Sequence, residues 1–351
     1  MTIDKICTIG PASQEREVLK ELIDHGMTIV RLNLSHGTHD QHKKVIQTVY
    51  ELNSNIKILG DIQGPKIRLG EIGAKEIQLK ENETFTLHTT PIVGNETEAS
   101  VDYEGITKDI KEGARLLIND GQVELFVEKA EEDKLVTKVV RGGAISSHKG
   151  VNLPGTSVSL PAMTEKDKED LLFLQKEKVD YIACSFIRKS AHLQEIRSFL
   201  GVKKGEGPSL IAKIETMEGV RHFSAIREEA DGVMIARGDL GVELPFEWVP
   251  LLQKAMMYEC REHGTYVITA TQMLQSMVNH SVATRAEVTD VFQAVLDGTN
   301  AVMLSQESAT GEYPVESVNT LKVVSSFAEY VANDAPFTLS DMMDLLKSGL
   351  H

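Results

Sequence analysis

Short apolar runs, each followed by a stretch of helical period, recur eight times along this chain. Lys5 to Ile9, Thr28 to Leu32, Ile56 to Asp61, Tyr181 to Phe186, Ser209 to Lys213, Gly232 to Ala236, Tyr266 to Ala270 and Ala301 to Leu304 read as strands covered on both faces. Helices are expected between them: one capped by Ser13 and running to about Gly26, then Asp40 to Leu52. Further on come one capped by Thr164 to about Lys178, Ala191 to Leu200, and Phe246 to His263. Thr284 with Glu287 three residues on has the spacing of a capping box opening a helix to Leu296, and Tyr313 to about Val331 is the last long helix. Eight strands, each trailed by a helix, make the tally of an α/β chain folded as a (β/α)8 TIM barrel. In that fold the site lies at the carboxyl ends of the strands.

One interval breaks the alternation. From about Leu69 to Lys149 the apolar period becomes two, as in Thr84-Phe85-Thr86-Leu87 and Val123-Glu124-Leu125-Phe126-Val127, with turns such as Asn119-Asp120-Gly121 between runs. This predicts an all-β domain, a small barrel, inserted after the third strand and placed over the active face as a lid. The expected division is therefore a catalytic barrel over 1–68 and 150–333, a lid over 69–149, and a short tail or capping helix over 334–351.

Composition narrows the function. The 351 residues carry a net charge of −15 without a basic cluster to offset it, which argues against nucleic acid as a partner. No apolar run is long enough to span a membrane, and the N-terminus enters a strand at once, leaving no room for a signal peptide. Cys7, Cys184 and Cys260 are scattered without metal-ligand spacing and read as reduced thiols in a cytoplasm.

Polar residues gather where the strands end. After Gly232 to Ala236 comes Arg237-Gly238-Asp239-Leu240-Gly241, a Gly-rich turn and helix start. There the backbone can approach an anion, and the Asp239 carboxylate can hold a cation beside it. Lys213 and Glu215 share one parity at the end of another strand, so their side chains point the same way. Arg31, Asn33 and Ser35 alternate onto one face, and Gly64-Pro65 turns Lys66 and Arg68 back behind Asp61. These parts fit a divalent cation, a phosphate and a second anion. A surface turn, a helix-capping Asp and an ordinary ion pair fit the same residues.

With those residues in hand, the chain resembles pyruvate kinase. The matching segments are Cys7-Thr8-Ile9-Gly10-Pro11, Arg31-Leu32-Asn33-Leu34-Ser35-His36-Gly37, Asp61-Ile62-Gln63-Gly64-Pro65-Lys66-Ile67-Arg68 and Lys149-Gly150-Val151-Asn152-Leu153-Pro154. They continue with Ala212-Lys213-Ile214-Glu215, Ala236-Arg237-Gly238-Asp239-Leu240-Gly241-Val242-Glu243, Thr269-Ala270-Thr271-Gln272-Met273-Leu274 and Leu296-Asp297-Gly298-Thr299. The resemblance implies phosphoryl transfer between phosphoenolpyruvate and ADP, giving pyruvate and ATP. It implies that Lys213 neutralises the phosphoryl group in flight, that Arg31 grips it, and that Thr271 lies where the enolate is protonated. Glu215 and Asp239 would hold Mg2+ or Mn2+, and the Gly238 and Asp239 backbone would receive the substrate carboxylate. Asn33, Ser35, His36, Arg68 and Lys149 would surround the nucleotide.

Three departures from the family pattern carry their own expectations. Pyruvate kinases that need potassium surround it with Asn, Ser, Asp and a Thr carbonyl, with a Glu nearby. Here Asn33, Ser35 and Asp61 are kept, while Ile62 stands for the Thr and Lys66 for the Glu. The resemblance is thus to the subgroup in which a Lys replaces the ion by reaching the same carboxylates, and potassium is not expected to be required. The chain also ends at His351, without the family's C-terminal effector domain. Allosteric control of the usual kind is therefore not expected of this chain, the usual tetramer is in doubt, and a homo-oligomer stays open. Finally, Ser305-Gln306-Glu307 and the segment Asn279 to Arg285 differ from the family pattern in loops at or near the catalytic face. A relative acting on another enolpyruvate or 2-oxo acid (a lyase, aldolase or enolpyruvyl-transfer enzyme) and a non-catalytic regulatory barrel remain as other readings.

Overall fold

The computed structural model describes residues 2–332, 338–340 and 342–343; the tail expected over 334–351 lies mostly outside them. Three strands open the chain: β1 (Asp4–Thr8), β2 (Ile29–Asn33) and β3 (Lys57–Ile62). The insert follows with β4 (Ile77–Leu79), β5 (Thr84–His88), β6 (Glu98–Ser100), β7 (Arg115–Ile118), β8 (Val123–Ala130), β9 (Lys134–Arg141), β10 (Gly143–Ile145) and β11 (Val151–Asn152). Five more complete the set: β12 (Tyr181–Cys184), β13 (Ser209–Ile214), β14 (Gly232–Ala236), β15 (Tyr266–Ala270) and β16 (Ala301–Leu304). The eight strands outside the insert form a closed barrel in the order β1-β16-β15-β14-β13-β12-β3-β2. Its ladders are parallel, as their unbroken apolar runs require.

By contact density the chain divides into two compact units. The first comprises Met1–Arg31, Gln47–Ile56 and Val267–His351. In it β1 lies between β2 and β16, pairing Thr8 with Arg31 and Asp4 with Ala301. Thr284 and Glu287 form the expected capping box on the helix Arg285–Leu296, a device contributing about 1 kcal/mol. Ser13 does not cap its helix. That helix begins at Arg16, and the Ser13 hydroxyl accepts from the Gly10 N–H at 3.2 Å, closing a turn instead.

The second unit is Leu32–Ile46 and Lys57–Tyr266. It holds β3, β12, β13 and β14 side by side, with Ala183 opposite Asp61, Cys184 opposite Ala212 and Lys213 opposite Met234. Thr164 caps the helix Glu165–Lys176 in a box with Asp167. The turn expected after β14 is absent: β14 runs directly into the helix Arg237–Glu243, with Gly238 and Gly241 inside it. Glycine's poor helix propensity signals a turn, but one or two such residues cost only about 1 kcal/mol each, and tertiary packing overrides that.

The insert belongs to this second unit. Its strands make a six-stranded sheet, β11-β7-β8-β9-β5-β6, and a two-stranded ribbon, β10-β4, around one core that includes Phe85, Leu87, Leu116 and Leu125. β4, β6 and β10 have three residues each, and isolated bridges of Leu69 with Val101 and Ile72 with Gly94 join the segments beside them. The core also takes in Ile67, Val151 and Leu153, residues beyond the expected boundaries at 69 and 149. Among the described residues no helix is long and apolar enough to cross a membrane.

Candidate active site

Four neighbouring strands of the second unit end in polar side chains. From β13 come Lys213 and Glu215, whose shared parity brings the ammonium to 3.2 Å from Glu215 Oε1. From β3 comes Asp61, with Oδ1 3.0 Å from Lys213 Nζ. From the end of β12 comes Ser185, whose hydroxyl accepts from Lys213 Nζ at 2.6 Å and reaches the Ile62 carbonyl at 2.7 Å. The ammonium is therefore surrounded by oxygen and nearly dry, with Lys213 9% exposed.

Glu215 is deeper still, at 2% exposure. The Phe186 backbone N–H donates to its Oε2 at 2.6 Å. Burial raises its pKa first, Lys213 opposes that shift, and the negative charges of Asp239 and Asp61 raise it again. Two carboxylates, Glu215 and Asp239, thus repel one another across the ends of β13 and β14. A cation set between them removes that repulsion, so the donor set fits a hard divalent ion. Among the described residues no three His, Cys, Asp or Glu side chains are arranged as a closed metal site. An ion held by this pair would complete its shell with substrate and water oxygens.

Asp239 lies in the first turn of the helix Arg237–Glu243, next to Gly238. Its Oδ1 is 3.2 Å from Lys66 Nζ. The Lys66 ammonium, expected beside Asp61, is thus paired with Asp239 and sits 5.7 Å from the centre of the Phe186 ring. Asp61 is engaged by Lys213 and Ser185 instead. Ile62 is buried and offers its carbonyl to Ser185.

Of the residues expected around a nucleotide, Arg68 and Lys149 line one cleft of about 460 Å³ with Lys66, His148 and Asp120. Arg68 donates from Nη1 to the His148 carbonyl at 3.2 Å, and its backbone N–H is held by Asp102 at 2.7 Å. Asn33, Ser35 and His36 do not line that cleft; Asn33 ends β2, and Ser35 and His36 lie in the loop that follows it. There Asn33 Oδ1 accepts from the Ser35 N–H at 3.1 Å, and the His36 carbonyl is 2.8 Å from His42 Nε2.

In the first unit, Arg31 is 9% exposed and donates from Nη1 to Thr8 Oγ1 at 2.8 Å; that hydroxyl donates in turn to the Leu304 carbonyl at 2.8 Å. Thr271 follows β15 with φ +69°, and its neighbour Gln272 has φ +57°. A β-branched residue in the left-handed region is strained by roughly 1–3 kcal/mol and persists where its surroundings impose it.

Ser185 and Phe186 escape the sequence reading although both touch the cluster. The signal was present: Ser185 is a polar residue closing a buried apolar run, the same cue that marks Asp61 and Lys213. Phe186 acts through its backbone, with φ +56°, and no side-chain pattern announces that.

The chain matches the family model described as pyruvate kinase, barrel domain, over residues 2–318. It is 47% identical over 332 residues to pyruvate kinase 2 of Synechocystis sp., covering 92% of this chain and 56% of that protein. It is 44% identical over 329 residues to the pyruvate kinase of Clostridium perfringens, covering 92% of this chain and 69% of that one. A crystal structure of a pyruvate kinase from Cryptosporidium parvum superimposes with a TM-score of 0.90 at 38% identity, over 96% of this chain and 74% of that one. The chain thus spans little more than half of its Synechocystis relative. The lyase, aldolase, enolpyruvyl-transfer and non-catalytic readings find no support among these relatives. By its barrel, its insert and these matches, the chain belongs to the pyruvate kinase family.

Proposed function

We propose that the chain transfers the phosphoryl group of phosphoenolpyruvate to ADP, giving pyruvate and ATP. The observation carrying this reading is the buried Lys213 ammonium held among Asp61, Ser185 and Glu215, with the Asp239 carboxylate beside Glu215. In the reaction the bond from phosphorus to the enol oxygen breaks, and a terminal oxygen of ADP forms the new bond. The enolate left behind takes a proton at its methylene carbon. Little covalent work falls to the protein, so positioning and charge must supply the rate.

Lys213 would trade its carboxylate partners for the equatorial oxygens of the phosphoryl group in flight, where a desolvated cation is most effective. Arg31, steered by Thr8, would hold the same group. Gly238 and Asp239 would receive the substrate carboxylate on the first turn of their helix. Thr271 would lie at the face where the enolate is protonated. Glu215 and Asp239 would hold Mg2+ or Mn2+, which when bound draws electron density from the enol oxygen and the phosphate. Arg68 and Lys149 would take the nucleotide phosphates from the basic cleft, and Asn33, Ser35 and His36 would approach them from their loop. Lys66, paired with Asp239 and not with Asp61, would supply a fixed positive charge in place of the potassium ion that related enzymes recruit, so turnover would not depend on that ion. Three free, buried thiols are consistent with a cytoplasmic setting.

The test is a coupled assay of pyruvate formation from phosphoenolpyruvate, with and without ADP and a chelator, in potassium and in tetramethylammonium salts. Turnover requiring ADP and a divalent ion, and indifferent to potassium, supports the reading. Pyruvate release without ADP would replace it with a phosphatase or lyase.

A further inference from the structure

The helix Glu165–Lys176 places Lys166, Asp170 and Phe173 at spacings of four and three, on one face. That face grips the loop after β2 at several points. Lys166 Nζ donates to the Leu34 carbonyl at 2.7 Å and to Asp170 Oδ2 at 2.6 Å. The other Asp170 oxygen is 2.7 Å from His39 Nε2, and the His39 ring stacks on Phe173 with centroids 4.3 Å apart and planes within 3°. Asp170 is 1% exposed, and both its oxygens are committed to these cations or donors. One turn earlier, Asp167 Oδ1 accepts from the Gly64 N–H at 2.9 Å, at the turn leading into Lys66.

The same helix face therefore fixes both Asn33–His36 and the Gly64 turn, two segments that carry proposed ligand-binding groups. None of these contacts reaches Lys213, Glu215 or Asp239. The loop's other ties are local or end on β3: Leu34 N–H to the Asp61 carbonyl at 2.9 Å, and Ser35 N–H to Asn33 Oδ1. Without Lys166 the Leu34 carbonyl loses its side-chain donor, and on this helix face the segment keeps only the His39 contacts with Asp170 and Phe173.

We infer that Lys166 and Asp170 are positioning residues for the nucleotide, holding Asn33, Ser35 and His36 in the shape that receives it. The inference rests on the proposed function, in which that loop meets ADP. A misplacement of about 1 Å can cost as much as a hundredfold where geometry matters, so a shifted loop registers first in nucleotide affinity. The Lys166 side chain is about half exposed, at 48%, but its partner Asp170 is buried and keeps only His39 when Lys166 is removed, so the thermal midpoint is read beside the kinetics.

The experiment compares Lys166→Met, Lys166→Arg and His39→Ala with the wild type. It measures KM for ADP and for phosphoenolpyruvate separately, ADP binding by calorimetry, and thermal midpoints. Expected for Lys166→Met are about a five- to tenfold rise in KM and Kd for ADP, with kcat and the other KM within about twofold, and recovery in Lys166→Arg. His39→Ala is expected to move the same way by less. An unchanged KM for ADP, or a kcat that falls in step with the thermal midpoint, overturns the inference. A wild type that makes no ATP sinks the functional reading itself, whereas an active wild type with an indifferent Lys166→Met sinks only the brace.

Discussion

Lys66 Nζ lies 3.2 Å from Asp239 Oδ1, so the positive charge of a loop in front of the insert is spent on the carboxylate at the end of β14. The pair is partly exposed, at 19% and 27% of the two side chains. Because the cation is covalently supplied, exchange of potassium for tetramethylammonium is expected to leave turnover within about twofold. Lys66→Gln removes the charge, and charge-assisted contacts are typically worth about 1.5–3 kcal/mol, so activity in potassium-free buffer is expected to fall roughly ten- to a hundredfold. Added potassium should restore part of it. A wild type that needs potassium rules this account out.

Lys213 neutralises two buried acids, Asp61 and Glu215. Lys213→Met should lower kcat by roughly a thousandfold, the scale of removing one donor aimed at transition-state charge. It should also destabilise the fold by about 3–5 kcal/mol, since breaking a buried pair strands its partners. Lys213 holds the raised pKa of Glu215 down, so the variant's affinity for Mn2+, followed by electron paramagnetic resonance, should persist at pH 8 and fade sooner on acidification. Near-normal turnover would remove Lys213 from the chemistry.

Glu243 has its pKa pushed up to about 7, chiefly by burial, with the Asn152 amide and the Met217 N–H opposing and Asp239 assisting. An acid that binds its proton more tightly in the folded state favours folding while it is protonated. That advantage is full below the unfolded value near 4.5 and is lost as pH rises toward about 7. Glu243→Gln keeps an acceptor for Asn152 without the charge. Urea melts should show it more stable than the wild type at pH 8 and about equal at pH 4.5; equal midpoints at both would refute the assignment.

Cys7, Cys184 and Cys260 are buried free thiols, and burial raises all three pKa values. Thiolate is the reactive form, so alkylation by iodoacetamide at pH 8 should be negligible in the folded protein and complete at all three in guanidinium. Rapid labelling of Cys184 under native conditions would mean that β12 opens readily.

Much of this fold could be read from periodicity. β14 and β16 announce themselves as unbroken apolar runs, and the insert by its change to a period of two. Capping at Thr164 and Thr284 was legible because one side chain and one spacing define it. Gly238 and Gly241 misled because local propensity is a weak force beside the packing of the strand they follow. The Lys213–Glu215 contact followed from parity, whereas the partner of Lys66 did not. A flexible side chain on a loop picks its carboxylate from whatever three-dimensional packing brings near, and Asp239 lies far along the chain from it. Ser185 was recoverable by the rule already applied to its neighbours.

The ladder between β3 and β12 sets Ala183 against Asp61, two residues separated in the chain by the whole insert. Loop-closure entropy grows only slowly with length, but it must still be met before such a distant pairing gains anything in return. An insert packed around its own apolar centre, which takes in Ile67 at one end and Val151 and Leu153 at the other, holds its two ends together and so shortens the effective tether between those strands.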